Sequence, residues 1–166
     1  MAGENSFDVV SKVEIQELRN ALDQATKEVR ARFDLKDSKS SLELEGEDTI
    51  QLASSDEYKL KAVIEILSQK MVKRGISLKN LTYEKIEPAS NSSVRQKVKI
   101  TQGIPGDKAK DIVRIVKDSK KKANASIQGD TVRVSSKDRD TLQEVIALLR
   151  SQDLNIDLQF TNFRSN

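Results

Sequence analysis

Cysteine, histidine and tryptophan are absent from this chain, and aromatic residues of any kind make up only 4% of it. Without cysteine there is no disulfide framework, no thiolate nucleophile and no thiolate metal site. Without histidine the commonest general acid–base near neutral pH is missing, and so is the commonest transition-metal ligand. With so few rings, the core must be aliphatic. No apolar run approaches the ~20 residues of a membrane-spanning helix, and Met1–Phe7 lacks the basic and apolar stretches of a secretory leader. Neither a Gly-x-x-x-x-Gly-Lys-Ser/Thr phosphate loop nor a Gly-x-Gly-x-x-Gly turn occurs. These gaps point to a soluble cytoplasmic protein with no catalytic residues, no metal and no resident cofactor.

What is present is a repeated pattern. At an offset of 82 residues, Thr49, Ser54, Asp56, Leu60, Val63, Ile64 and Leu67 match Thr131, Ser136, Asp138, Leu142, Val145, Ile146 and Leu149. Two copies are too few for a solenoid, so the chain reads as a duplicated small domain.

Periodicity fills in the elements. Phe7–Val10 reads as a strand. Ile15, Leu18, Leu22, Ala25 and Val29 recur as one helix face behind a capping box at Ser11 and Glu14, and this helix runs to about Phe33. A hairpin turns at Gly46-Glu47-Asp48 and sets Leu42 opposite Leu52 and Leu44 opposite Ile50. Ser54 with Glu57 caps a second helix that faces inward with Leu60, Val63, Ile64, Leu67 and Met71. Leu81–Ile86 reads as a strand. Pro88–Ser93 is a polar linker, and after it the order returns. Val94–Ile100 alternates, and a helix behind Pro105 carries Ala109, Ile112 and Val116. A hairpin turns at Gly129-Asp130, a last helix follows, and Leu154, Ile156, Leu158 and Phe160 alternate as a closing strand.

Each half thus reads strand, helix, strand, strand, helix, strand. That order implies an α+β fold of two tandem ferredoxin-like (βαββαβ) domains, each an antiparallel sheet with two helices on one face. The pattern fits contiguous domains at 1–88 and 94–166.

Candidate chemistry is sparse. Glu43 with Glu45, and Glu47 with Asp48, lie on or beside a hairpin and read as solvated carboxylates. Ser54-Ser55 and Ser135-Ser136 precede helices and read as helix starts rather than nucleophiles. Charge is more informative. Residues 1–93 hold 14 Lys/Arg and 17 Asp/Glu, whereas 94–166 hold 15 and 9, so the halves carry −3 and +6. The basic half suggests an anionic partner. Its candidate phosphate contacts are Lys117 and Lys120 in a basic segment, then Arg133 and Arg139, with Arg164 beside Phe163 at the end of the chain. Lys97 and Lys99 share a stripe with Arg95. If that strand belongs with the first half, Glu43, Glu45 and Glu84 lie close enough to neutralise part of it. The strands Thr49–Ser54 and Thr131–Ser136 hold no aromatic residue, unlike an ordinary single-strand RNA reader of this architecture.

Several segments carry a resemblance. Ser6-Phe7-Asp8-Val9-Val10-Ser11, Arg32-Phe33-Asp34, Lys73-Arg74-Gly75-Ile76, Gln102-Gly103-Ile104 and Lys117-Asp118-Ser119-Lys120 occur in that order. Ile127-Gln128-Gly129-Asp130 with Val132-Arg133-Val134, and Gln159-Phe160 with Asn162-Phe163-Arg164, complete the set. Together they resemble the bacterial YajQ family across nearly the whole chain. The resemblance implies two ferredoxin-like domains that exchange first strands, residues 14–103 forming one and 1–13 plus 104–166 the other. It further implies a non-enzymatic protein that binds a nucleotide, a cyclic dinucleotide or RNA. A regulatory module that docks a protein partner through its open sheet faces is the alternative.

Overall fold

The computed structural model describes residues 4–165. Met1–Gly3, part of the segment read for a leader, lie outside the described residues. The chain divides into two compact units, one of Met1–Lys12 with Gln102–Asn166, the other of Val13–Thr101.

In the Val13–Thr101 unit, α1 (Ile15–Ala31) precedes the hairpin of β2 (Ser41–Glu45) and β3 (Thr49–Ser54). Next come α2 (Glu57–Lys73), β4 (Leu81–Tyr83), the short β5 (Glu87–Pro88) and β6 (Val94–Ile100). The antiparallel sheet runs β2-β3-β6-β4, and β5 also pairs with β6. Leu42 faces Leu52 and Leu44 faces Ile50 across the hairpin, as the three-residue loop requires. Leu52, Val98 and Ile100 meet Leu18, Leu22 and Val29 of α1 and Leu60, Val63 and Leu67 of α2 in one aliphatic core.

The other unit opens with β1 (Asn5–Val10) and resumes with α3 (Gly106–Asp118), β7 (Asn124–Gln128), β8 (Thr131–Ser136), α4 (Arg139–Ser151) and β9 (Gln159–Arg164). Its sheet runs β7-β8-β1-β9, so β1 is a central strand between β8 and β9. Phe7 and Val9 are fully buried there with Ile112, Val132, Val134 and Val145. Both units are α+β, with antiparallel sheets and two helices each, which is the ferredoxin-like class.

Several local expectations change. Ser11 does not cap α1, which begins at Ile15 with Glu14 at the N-cap and no side-chain cap bond, while the Ser11 carbonyl accepts a hydrogen bond from the Gly103 N–H at 2.7 Å. Asp56 rather than Ser54 caps α2, accepting from the Lys59 N–H, while the Ser54 hydroxyl is held by Ser40 at 2.9 Å. Ile66, not Ile64, joins the fully buried set of α2. Pro105 stands at the N-cap of α3, one position before its first turn. The fourth strand of the first pattern stops at Tyr83. The closing strand begins only at Gln159, because Asn155 takes a left-handed turn (φ 58°) inside the expected alternation.

Candidate functional site

An arginine-lined cavity of the Met1–Lys12 and Gln102–Asn166 unit lies where α4 begins beside β1 and the end of β9. It encloses about 330 Å3 and is lined by Asn5, Ser6, Arg139, Leu142, Gln143, Phe163, Arg164 and Ser165. Two irregularities build it. In β9 the register slips between Ser6 and Asp8, and Asn162 sits at the slip with φ 57°. This one-residue bulge reverses the side-chain parity beyond it. Simple alternation from Phe160 places Phe163 on the open sheet face. The bulge instead returns it to the helix-bearing face, with its ring centroid 5.9 Å from that of Phe7, yet it stays 59% exposed.

The second irregularity is electrostatic. Arg139 is the first residue of α4, where unpaired N–H groups and the helix dipole favour an anion over a cation. The offset of 82 that aligns the two patterns places Glu57, the dipole-favoured choice, at the first position of α2. The strand registers give a second contrast. Arg164 lies opposite Ser6, whereas at the matching place in the other unit Glu87 lies opposite Arg95 and forms an ion pair with it at 3.1 Å. The arginine pair is therefore no requirement of the fold. Neither guanidinium forms an ion pair with another described residue, whereas Asp138, the N-cap, is spent on the Asp140 N–H and the Thr141 hydroxyl.

The other sequence candidates are placed differently. Arg133 projects from β8 onto Asp8 of β1, with Nε–Oδ1 at 2.9 Å and a second contact at 3.4 Å, and Asn162 donates to the same carboxylate at 2.7 Å. The Arg133 hydrogen bond holds the Asp8 carboxyl below the usual carboxylate range, against the opposing effect of burial. Lys117 lies in the last turn of α3, where a cation suits the helix dipole, and Lys120 follows in a left-handed turn (φ 58°). Neither lines the cavity of Arg139 and Arg164. A neighbouring cavity of about 350 Å3 is lined by Glu4 and Asp138, which directly precede Asn5 and Arg139, and by Ser136 and Lys137 beside Lys121, Lys122 and Asn124. Lys121 is paired with Glu144 at 3.1 Å.

Lys97 and Lys99 lie in the Val13–Thr101 unit, on β6. Lys97 is opposite Gln51, whose other neighbour is Glu43, and Lys99 is opposite Thr49, beside Glu45. Lys99 donates to the Thr49 hydroxyl at 3.1 Å. Moving β1 and β6 between the halves also removes the charge asymmetry. The Val13–Thr101 unit holds 16 Lys/Arg and 15 Asp/Glu, and the other unit 13 and 11, leaving +1 and +2. The local pair at Arg139 and Arg164 thus carries more weight than a basic half. No sequence pattern marks Asn5 or Gln143 as site residues, and Ser6 enters only as part of the family resemblance, because their place at the cavity depends on the strand order.

The fold defines a protein of two ferredoxin-like α+β units, one of which bears an arginine-lined cavity with an exposed ring. The chain belongs to the YajQ-like family, whose model, described as nucleotide-binding protein YajQ-like, matches residues 5–164. A nucleotide-binding protein of Koribacter versatilis is 66% identical over 98% of this chain and 99% of its own length. Proteins named in the same way from Desulfitobacterium hafniense and Chloroherpeton thalassium are 60% and 50% identical, each over 99% of this chain and all of their own length.

Proposed function

We propose that this protein binds a nucleotide without turning it over, in the cavity of Arg139, Phe163 and Arg164. The two guanidiniums would hold phosphate oxygens, the exposed Phe163 ring would stack a base, and Gln143 would offer polar groups to its edge. The names of the relatives support the ligand class. The observation that carries the site is that Arg139, Phe163 and Arg164 line one cavity, with neither arginine in an ion pair with a described residue. A ligand longer than one nucleotide, whether a cyclic dinucleotide or RNA, would meet Lys122 and Lys137 in the adjoining cavity, with Lys117 and Lys120 further out. Arg133 is a weaker contact because Asp8 already engages it, and Lys97 and Lys99 lie in the other unit.

Calorimetric titration with nucleoside phosphates, cyclic dinucleotides and short RNAs tests this reading. Each charge-assisted hydrogen bond is worth ~1.5–3 kcal/mol, so Arg139→Ala with Arg164→Ala should weaken binding by about a hundredfold or more. The double variant should also flatten the dependence on salt. Phe163→Ala should cost a base-bearing ligand affinity while leaving inorganic pyrophosphate unaffected. Full affinity in both variants would remove the site. Turnover of any nucleotide with added Mg2+ would remove the non-enzymatic reading.

A further inference from the structure

We propose that the protein pairs with a second copy of itself through the open edge of β7, joining two four-stranded sheets into one. A sheet edge presents unpaired backbone groups, and native proteins blunt it with charge, proline, a bulge or brevity. The outer strands here are β2, β4 with β5, β7 and β9. β2 carries Glu43 and Glu45. β4 has three residues, and β5 beside it contains Pro88. β9 has the bulge at Asn162 and ends in Arg164. β7 has none of these devices. Its five residues are uncharged, its register is regular, and Ile127 is 45% exposed.

The fold does not require a bare edge there. Matched through their partners on β3 and β8, Leu42 and Leu44 correspond to Ala125 and Ile127. Glu43 and Glu45 then correspond to Ser126 and Gln128. The same strand of the same architecture is guarded by two carboxylates in one unit and by none in the other.

The hairpin geometry selects a second β7 as the occupant. The two-residue turn Gly129-Asp130 closes on Gln128 and Thr131, which exchange hydrogen bonds. Alternation along the ladder then turns the backbone groups of Gln128, Ser126 and Asn124 toward β8, and directs the N–H and C=O of Ala125 and Ile127 away from it. With pairing kept within the strand, an antiparallel second β7 satisfies all four outward groups in one register only. Ala125 of each copy lies opposite Ile127 of the other, and the two Ser126 residues face each other on the two-fold axis. Ile127 is thereby covered beside Ala125 of the second copy. The register also sets Lys122 of each copy opposite Asp130 of the other. Neither residue forms an ion pair with another described residue of its own chain, so the charges at both ends of the pairing are complementary and uncommitted. An edge of five residues falls short of the ~1,200 Å2 buried in stable complexes, so the dimer is a weak one, populated at high micromolar protein and dispersed by dilution.

Sedimentation equilibrium of the intact protein without nucleotide, from about 10 to about 500 µM, tests the proposal. The mean mass should rise with concentration from 18.6 kDa toward twice that value. Ser126→Glu supplies the guard that Glu43 gives β2 and sets like charges on the axis. It should keep the protein monomeric, with an unchanged thermal midpoint at low concentration. Because the chain has no cysteine, single cysteines report the register. Facing non-hydrogen-bonded positions lie about 4.5 Å apart at Cα, inside disulfide reach. In a glutathione buffer Ser126→Cys should cross-link two chains at least about tenfold faster than Asn124→Cys, whose counterpart in the pairing is Gln128. A mass that stays at 18.6 kDa up to about 500 µM would overturn the proposal. So would a dimer that survives Ser126→Glu, or equal cross-linking of the two cysteine variants. No nucleotide enters these measurements, so their outcome is independent of the arginine-lined cavity.

Discussion

Gly103 shows how one residue can be fixed by a close approach. Its φ is +80°, its N–H donates to the Ser11 carbonyl, and the next N–H, of Ile104, donates to the Asp130 carbonyl at 2.8 Å. A Cβ at position 103 would stand 2.5 Å from Asp130 Oδ2 and 2.8 Å from its Cβ. Gly103→Ala therefore meets two separate penalties, a left-handed backbone worth ~1–2 kcal/mol and a clash with one side chain. A double-mutant cycle separates them. Chemical denaturation should show Gly103→Ala as clearly destabilising. Asp130→Gly should recover part of the loss, since glycine is accepted in this hairpin turn, and the backbone penalty should remain. Strict additivity of the two changes would show that the approach to Asp130 carries no strain.

Asp8 makes a pH-dependent contribution at the same scale. Its carboxyl is lowered by the Arg133 hydrogen bond, so the native state favours the ionised form. The resulting stability is fully present above the unfolded carboxylate value of about 3.9 and is lost as pH falls through the folded value. Asp8→Asn should be less stable than the natural chain at neutral pH, and the two stability curves should converge in acid. A gap that stays constant across the acid range would show that the charge on Asp8 is irrelevant.

At the scale of elements, legibility followed the strength of the periodic signal. The hairpin of β2 and β3 could be read to the residue, because its loop length and the Leu42, Leu44, Ile50 and Leu52 pattern agree on a single register. Helix faces were nearly as clear, the exception being Ile66 in place of Ile64 on α2. Helix starts were less so, since Ser54 and Asp56 are both good N-cap residues and only the backbone geometry decides that Asp56 accepts the bond. The end of β9 was least legible. A non-glycine bulge residue such as Asn162 leaves no mark in alternation, yet it decides which face Phe163 joins. Of the candidate site, Arg139 and Arg164 could be named as cations, but their meeting at one cavity depends on that bulge and on β1 lying beside β9. The family resemblance supplied the idea of exchanged strands, for which hydrophobic patterning held no signal: Phe7 and Val9 alternate equally well in either sheet.

For the molecule as a whole, strand placement determines which pieces of chain can fold. The linker at residues 88–93 is the boundary that composition suggests, but cutting there separates β6 from β3 and β4, and leaves β1 on the wrong fragment for β8 and β9. Each loss removes a central strand, exposing the ladder groups of two neighbours and opening the core, in units small enough to be marginal when intact. A fragment of residues 13–101 contains every strand of its sheet, and we expect it to unfold cooperatively, with the circular dichroism of an α+β protein. Fragments 1–93 and 94–166 should each lack a cooperative transition, although together they contain the entire sequence. A peptide of residues 4–12 added to a fragment of 102–165 should restore structure to it, since β1 supplies Phe7 and Val9 to that core. Reversing the Phe7 contribution with Phe7→Asp in the peptide should abolish the rescue. If 94–166 folds alone while 13–101 does not, β1 and β6 serve the halves in which the sequence places them, and the unit boundaries drawn at Lys12 and Thr101 are wrong.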